Sequence, residues 1–203
     1  AYQVTCRNAR RSSTARAFLA PSRERSNLTV EINARVLRVV VEKGRAVGVE
    51  YVVGNGEPKI VRAESEVIVS SGAIGSPRLM LLSGIGPAAE LKALGINVVH
   101  DLPGVGKNLQ DHLDSYVVSD LNAPLSYDKA DAFPRSIVNG LQYMLFKSGP
   151  VTSVVAESGC FASSNGGQPD IQMHILPAYV VNSGRTKVDG YGVTINTCVL
   201  RPE

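Results

Sequence analysis

Glu66 to His112, EVIVSSGAIGSPRLMLLSGIGPAAELKALGINVVHDLPGVGKNLQDH, is the stretch on which the reading of this chain turns. Val67 to Ser70 is a short apolar run that predicts a strand, and it leads straight into Ser71, Gly72 and Ala73. Glycine at a strand end lets backbone approach a bulky group with no Cβ in the way. Ser76 as N-cap and Pro77 at the first helical position predict a short helix over Arg78 to Ser83 that Gly84 stops. Its unpaired N–H groups suit an anionic or carbonyl-rich group. Pro87 and Gly95 bracket a second helix with Leu91 and Leu94 on its apolar side, and Ile96 to His100 reads as a further strand. Leu102 to His112 combines two glycines, a proline and polar side chains without apolar periodicity, so it reads as a loop.

Outward from this stretch, Asn27 to Ala63 has β texture. Leu28–Ile32, Ala34–Val41, Ala46–Val53 and Lys59–Ala63 alternate in the strand manner. Turn signals at Glu42-Lys43-Gly44-Arg45 and Gly54-Asn55-Gly56-Glu57-Pro58 join the last three into an antiparallel meander. At the N-terminus, Tyr2–Cys6 alternates. Ser12 or Ser13 then caps a short helix carrying Ala15, Phe18 and Leu19, with Pro21 at its end. Beyond His112, Asp114–Asp120 reads as a strand and Leu121–Asp131 as a polar connection. Phe133–Lys147 is a helix whose Ile137, Leu141, Met144 and Leu145 predict one buried face, and Gly149-Pro150 stops it. Glu157–Phe161, Asp170–Pro177 and Gly192–Arg201 are strand-like.

The chain has 203 residues, 44% hydrophobic and 19% charged, which is a globular composition long enough to bury a core. A formal charge of +3 points to no nucleic-acid role, although Arg7, Arg10, Arg11 and Arg16 crowd the N-terminus, where a solvated helix start accounts for them. Cys6, Cys160 and Cys198 form no CxxC pair and fit neither a disulfide framework nor a zinc site, which agrees with a reducing, cytoplasmic compartment. No apolar run reaches the ~20 residues that span a bilayer.

Two motifs now carry a family resemblance. Gly72-Ala73-Ile74-Gly75-Ser76-Pro77-Arg78-Leu79-Met80-Leu81-Leu82-Ser83-Gly84-Ile85-Gly86, followed by Leu102-Pro103-Gly104-Val105-Gly106-x-Asn108-Leu109-x-Asp111-His112, closely resembles the glucose-methanol-choline (GMC) family of flavin oxidoreductases. Arg11-Ser12-Ser13-Thr14 through Pro21, Pro169 to Pro177 and Val199 to Pro202 resemble other parts of the same family. The resemblance implies a piece of an FAD enzyme that oxidises a small-molecule alcohol, choline-dehydrogenase-like in texture. The implied fold is α/β to α+β: a partial FAD-binding domain with a β-meander over 1–113, and a partial antiparallel-sheet substrate domain over 114–203. Ala34-x-Val36-x-Arg38 is similar to the family segment whose valine meets adenine through its main chain; from its own surroundings Val36 reads as core. The resemblance also puts Ser71, Gly72 and Ala73 along the cofactor path, and Gly106, Asn108, Leu109, Asp111 and His112 in a loop near the flavin.

Other family parts are expected outside this stretch of chain. No GxGxxG follows a first strand, since Gly104-Val105-Gly106 lacks the third glycine and a βαβ frame. The family's catalytic His, with its His or Asn partner, lies beyond the point where this chain stops, so no catalytic residue is assigned. His100, His112 and His174 read as structural, and Asp101, Asp111 and Asp114 as loop charges rather than a metal cluster. By itself the chain is expected to be inactive and to self-associate through apolar faces, and the intact enzyme could sit at a membrane. Two alternatives remain open: a GMC-fold lyase that keeps FAD without redox turnover, and a non-catalytic α+β binding module.

Overall fold

The computed structural model describes residues 4–202. By its contacts the chain divides into two units, one from Ser26 to Leu109 and the other from the N-terminal segment to Arg25 together with Gln110 onward.

In the first unit the expected meander is present. β3 (Ala34–Glu42), β4 (Arg45–Val53) and β5 (Lys59–Arg62) pair antiparallel in that order. Lys43 and Gly44 both take positive φ, as a two-residue hairpin loop requires. A register shift leaves Leu37 as an extra residue between the pairs Val36↔Tyr51 and Arg38↔Glu50. Val39, Val40 and Val52 of the meander are buried, as is Leu91 at 1% exposure.

Helix α2 spans Gly72–Leu82, so it starts earlier than the sequence predicts and contains Pro77. Ser76 is not its N-cap: Ser76 Oγ accepts a hydrogen bond from the Ser71 N–H at 3.0 Å, and Ser71 is the capping residue. Gly84 does stop the helix, with φ +79, and a Cβ there would stand 2.3 Å from the Asn97 carbonyl oxygen. α3 (Ala88–Ala93) follows Pro87 and ends before Gly95 as expected; Leu91 is buried, but Leu94 is 75% exposed and contributes no apolar side.

Of the predicted strands of this unit, two are absent and one is shortened. Val67–Ser70 and Leu28–Ile32 have strand-like composition but form no ladder, because no strand among the described residues pairs with them. Ile96–His100 shrinks to β7 (His100–Asp101), parallel to β6 (Ile85–Gly86), since the Gly84 carbonyl takes the N–H groups of both Val99 and His100.

In the second unit, β1 (Cys6–Arg7) and β2 (Arg10–Arg11) form a minimal hairpin around Asn8 and Ala9, both at φ +53. Tyr2 and Gln3 of the predicted first strand lie outside the described residues, and Val4 and Thr5 are not strand. Helix α1 is wound as a π-helix over Ala15–Leu19 and continues over Ala20–Ser22. Pro21 therefore sits inside it rather than ending it, and Thr14 rather than Ser12 or Ser13 takes the capping position.

The four-stranded antiparallel sheet runs β8 (Asp114–Asp120), β11 (Gly192–Val199), β10 (Ile171–Leu176), β9 (Ser158–Ala162). Central β11 buries alternate residues: Thr194, Asn196 and Cys198 are all at 7% exposure or less. Thr194 Oγ1 meets the cost of its burial by accepting from the Val180 N–H at 2.9 Å and donating to the Ala178 carbonyl at 2.8 Å. α4 (Arg135–Phe146) forms where expected and ends in left-handed Lys147. Its Ile137, Leu141, Met144 and Leu145 are each more than half exposed, so the buried face predicted from their spacing is not observed.

Gly84→Ala is expected to lower the urea unfolding free energy by at least ~1 kcal/mol, because it adds a left-handed Cβ against a carbonyl oxygen. Gly95→Ala, where a Cβ meets nothing within 4 Å, is expected to cost less; equal midpoints in urea titrations would contradict this.

Candidate functional site

Val36 lies on the edge strand of the meander. The Gly54 N–H donates to the Asn33 carbonyl at 3.0 Å, which makes the next pair, Ala34↔Val53, one whose own N–H and C=O groups turn away from the partner strand. Alternation repeats this at Val36↔Tyr51. The main-chain donor and acceptor of Val36 therefore face the outer edge of β3, where no strand among the described residues pairs. The side chain is 38% exposed, so the sequence reading of Val36 as core does not hold.

Three residues further on, the same edge is closed differently. The Val39 N–H donates to Ser83 Oγ at 2.8 Å, and Ser83 Oγ donates in turn to the Leu79 carbonyl at 2.6 Å. One buried hydroxyl thus joins the end of α2 to β3. Ser83 was missed by sequence reasoning; its only signal is a polar residue directly after Leu81-Leu82 and before the stop glycine.

Ser71, Gly72 and Ala73 are exposed at the opening of α2. Gly72 takes φ +83, a conformation natural to glycine, and nothing lies within 4 Å of where its Cβ would be. At Gly75 a Cβ would stand 2.9 Å from Ser71 Cβ, so the tight opening depends on a bare backbone there as well. The helix N-terminus consequently presents N–H groups over an open surface.

In the loop that the second motif forms, Leu102 donates its N–H to the Gly86 carbonyl at 3.0 Å, and turns follow through Gly106 at φ +78. Lys107 pairs with Glu90 at 2.8 Å, and Asp101 Oδ1 accepts from the Ala88 N–H at 2.9 Å, capping α3. Asn108 is left-handed at φ +53 and Leu109 is 68% exposed. Both belong to the first unit. Asp111 and His112 fall in the second, where Asp111 Oδ1 accepts the His112 N–H at 2.9 Å and both side chains are exposed. Within the first unit, Asp101 caps a helix; among the described residues no group of three or more His, Cys, Asp or Glu is arranged to hold a metal ion.

The second unit holds a polar cavity of about 520 Å³ that the sequence reading treated only as a connection; Tyr127, Asp128, Asp131, Tyr179, Thr186 and Lys187 are among its lining residues. Asp128 is its clamp, with its carboxylate accepting from Ser126 Oγ at 2.7 Å and from the N–H groups of Tyr179 and Gly192 at 3.1 and 3.0 Å. The Tyr179 hydroxyl donates to Asp120 Oδ1 at 2.6 Å, and that bond, with some loss of hydration and the carboxylate charge, pushes it up to about 12. Glu157 is held below the usual carboxylate range by hydrogen bonds from the Tyr127 and Ser153 hydroxyls.

These arrangements sit in a chain with clear relatives. The family model for GMC oxidoreductases matches residues 1–114. The chain belongs to the GMC oxidoreductase family. Among curated relatives, an alcohol dehydrogenase [acceptor] of Pseudomonas putida is 44% identical over 206 residues, covering all of this chain and 37% of that protein. The mitochondrial choline dehydrogenase of Homo sapiens is 43% identical over 95% of this chain and 33% of its own length. The chain thus spans about a third of the GMC relatives it matches. A solved formate oxidase of Aspergillus oryzae, described for its FAD modification, superposes with TM-score 0.85 at 24% identity over 98% of this chain and 39% of that one, a likeness of fold. No helix among the described residues is long and apolar enough to cross a membrane.

In a tyrosinate absorbance titration, one tyrosine is expected to ionise near 12 and to move down toward 10.0 in Asp120→Asn, because the ionised phenolate no longer faces a carboxylate acceptor. Superimposable curves for the two proteins would show that this bond does not govern Tyr179.

Proposed function

We propose that this chain is part of an FAD-dependent oxidoreductase that oxidises the CH–OH group of a small-molecule alcohol, within the choline-dehydrogenase-like branch of the GMC family. The observation that carries the reading is the alcohol dehydrogenase match along the whole chain at 44% identity. On this reading residues 1–113 belong to the flavin-binding part and 114–203 to the substrate part.

The chain's own residues fit the cofactor in two respects. The outward N–H and C=O of Val36 offer a donor and an acceptor side by side at an open strand edge, which matches the edge of an adenine ring and needs nothing from the side chain. Ser71, Gly72 and Ala73 offer exposed backbone at a helix opening, with no Cβ at Gly72, where a large planar or anionic group can lie close. Gly106, Asn108, Leu109, Asp111 and His112 shape the loop that borders the flavin. When bound, FAD supplies the hydride acceptor for the carbinol carbon. These residues hold and orient; proton removal from the hydroxyl is assigned to none of them.

The test is anaerobic addition of choline and of simple primary alcohols to the protein produced from its complete gene. Bleaching of the flavin bands is expected. Flavin that is retained but stays oxidised with every alcohol would favour a lyase, and a colourless protein that takes up no FAD would favour a binding module.

Val36→Pro removes the outward N–H without touching the ladder to β4, as an edge position tolerates. It is expected to raise the FAD dissociation constant roughly 3- to 10-fold, the worth of about one hydrogen bond. Val36→Ala is expected to leave it within about twofold. Equal loss in both variants would mean that the side chain, not the backbone, makes the contact.

A further inference from the structure

The densest charge of the second unit is not explained by its packing. Arg7 and Arg10 are directly opposed across the β1–β2 hairpin, and Cys6 opposes Arg11. Like charges in register repel, and a two-residue ladder offers little to offset that. Arg16 follows in α1, whose first turn contains no acidic residue to complement the helix dipole. Lys147, far away in sequence, joins them from the end of α4, its Nζ resting 4.7 Å from the centre of the Tyr143 ring. These five cations line one cavity of about 420 Å³ with Asn8, Ser12 and Ala20, and among the described residues no carboxylate lines it. Among the described residues the ion pairs lie elsewhere, at Arg38–Glu50, Arg62–Glu42 and Lys107–Glu90.

A solvated helix start accounts for one or two of these charges, not for their convergence on a concavity from two distant segments. We propose that this groove is a binding site for a diphosphate-class anion. Guanidinium groups match phosphate oxygens in bidentate fashion, and the four arginines approach from a hairpin and a helix, so several oxygens can be met at once. Ser12 adds a neutral donor. A monocarboxylate would leave most of the positive charge uncompensated, whereas a diphosphate neutralises more of it. Among the described residues no aromatic side chain lines the groove, so they offer no stacking platform of the kind single-stranded nucleic acid requires. The concave shape favours a soluble ligand over a lipid surface.

The experiment is calorimetric titration of inorganic pyrophosphate into the protein from its complete gene, alongside Arg10→Gln, the double variant Arg10→Gln/Arg16→Gln, and Lys59→Gln as a surface control. The expected result is saturable one-site binding that weakens at least tenfold in the double variant, is unchanged in the control, and falls as salt is raised. Circular dichroism of each variant establishes that it is folded. Absence of binding, or equal binding by all folded variants, overturns the proposal; the first would mean that carboxylates elsewhere in the protein neutralise the cluster. Sedimentation with phosphatidylglycerol vesicles forms the second arm. Binding to vesicles without binding to pyrophosphate would assign the cluster to lipid headgroups and would also overturn it.

Discussion

The first unit depends on one buried hydroxyl. An edge strand has unpaired N–H groups that must find partners. Ser83 Oγ supplies one by accepting from Val39, and it is held in place by donating to the Leu79 carbonyl, which also takes the Ser83 N–H, at 6% exposure. Its position is fixed on the other side by Gly84, whose left-handed turn brings the chain so close to Asn97 that no side chain fits. The β6–β7 pair and the turn into the second motif follow from that crossing, because Gly84 and Gly86 carbonyls collect the N–H groups of Val99, His100 and Leu102.

The same edge explains why Val36 can be a recognition element. Ser83 closes β3 at Val39 and leaves Val36 open, on the other side of the extra residue Leu37. The extra residue keeps both outward-facing while letting the strand bend between them. A plain aliphatic residue thereby acquires a role through backbone direction, which composition cannot express. The helix opening at Gly72 follows a parallel logic: the useful surface is main chain, exposed because the side chain is missing.

How far these features were legible follows from what each depends on. The meander was readable because its turns carry their own chemistry, Lys43-Gly44 above all, and because its strands pair with neighbours in sequence. Asp114–Asp120 and the three later strands were readable as strand-like runs. Val67–Ser70 and Leu28–Ile32 look the same in sequence yet form no ladder, since a strand is defined by a partner and pattern alone does not supply one. Pro77 misled for a related reason. Its ring fits a helix opening best, but the helix begins at Gly72 and accommodates it. At α4 the spacing identified a helix correctly and its burial wrongly, because amphipathicity shows which face seeks cover, not whether cover is present. The site motifs were legible as a family pattern; Ser83 and the Asp128 clamp were not, being single polar residues whose partners are remote in sequence.

Residue-resolved amide hydrogen exchange on the 203-residue chain without flavin tests this account most directly, at two residues of one strand edge. Val39 is predicted to exchange slowly, comparably to amides within the β3–β4 ladder, and to lose that protection in Ser83→Ala, while Val36 exchanges fast in both proteins. If Val36 and Val39 exchanged together, or if Val39 remained protected without the Ser83 hydroxyl, the hydroxyl would not be what closes β3, and the open position assigned to Val36 would lose its basis.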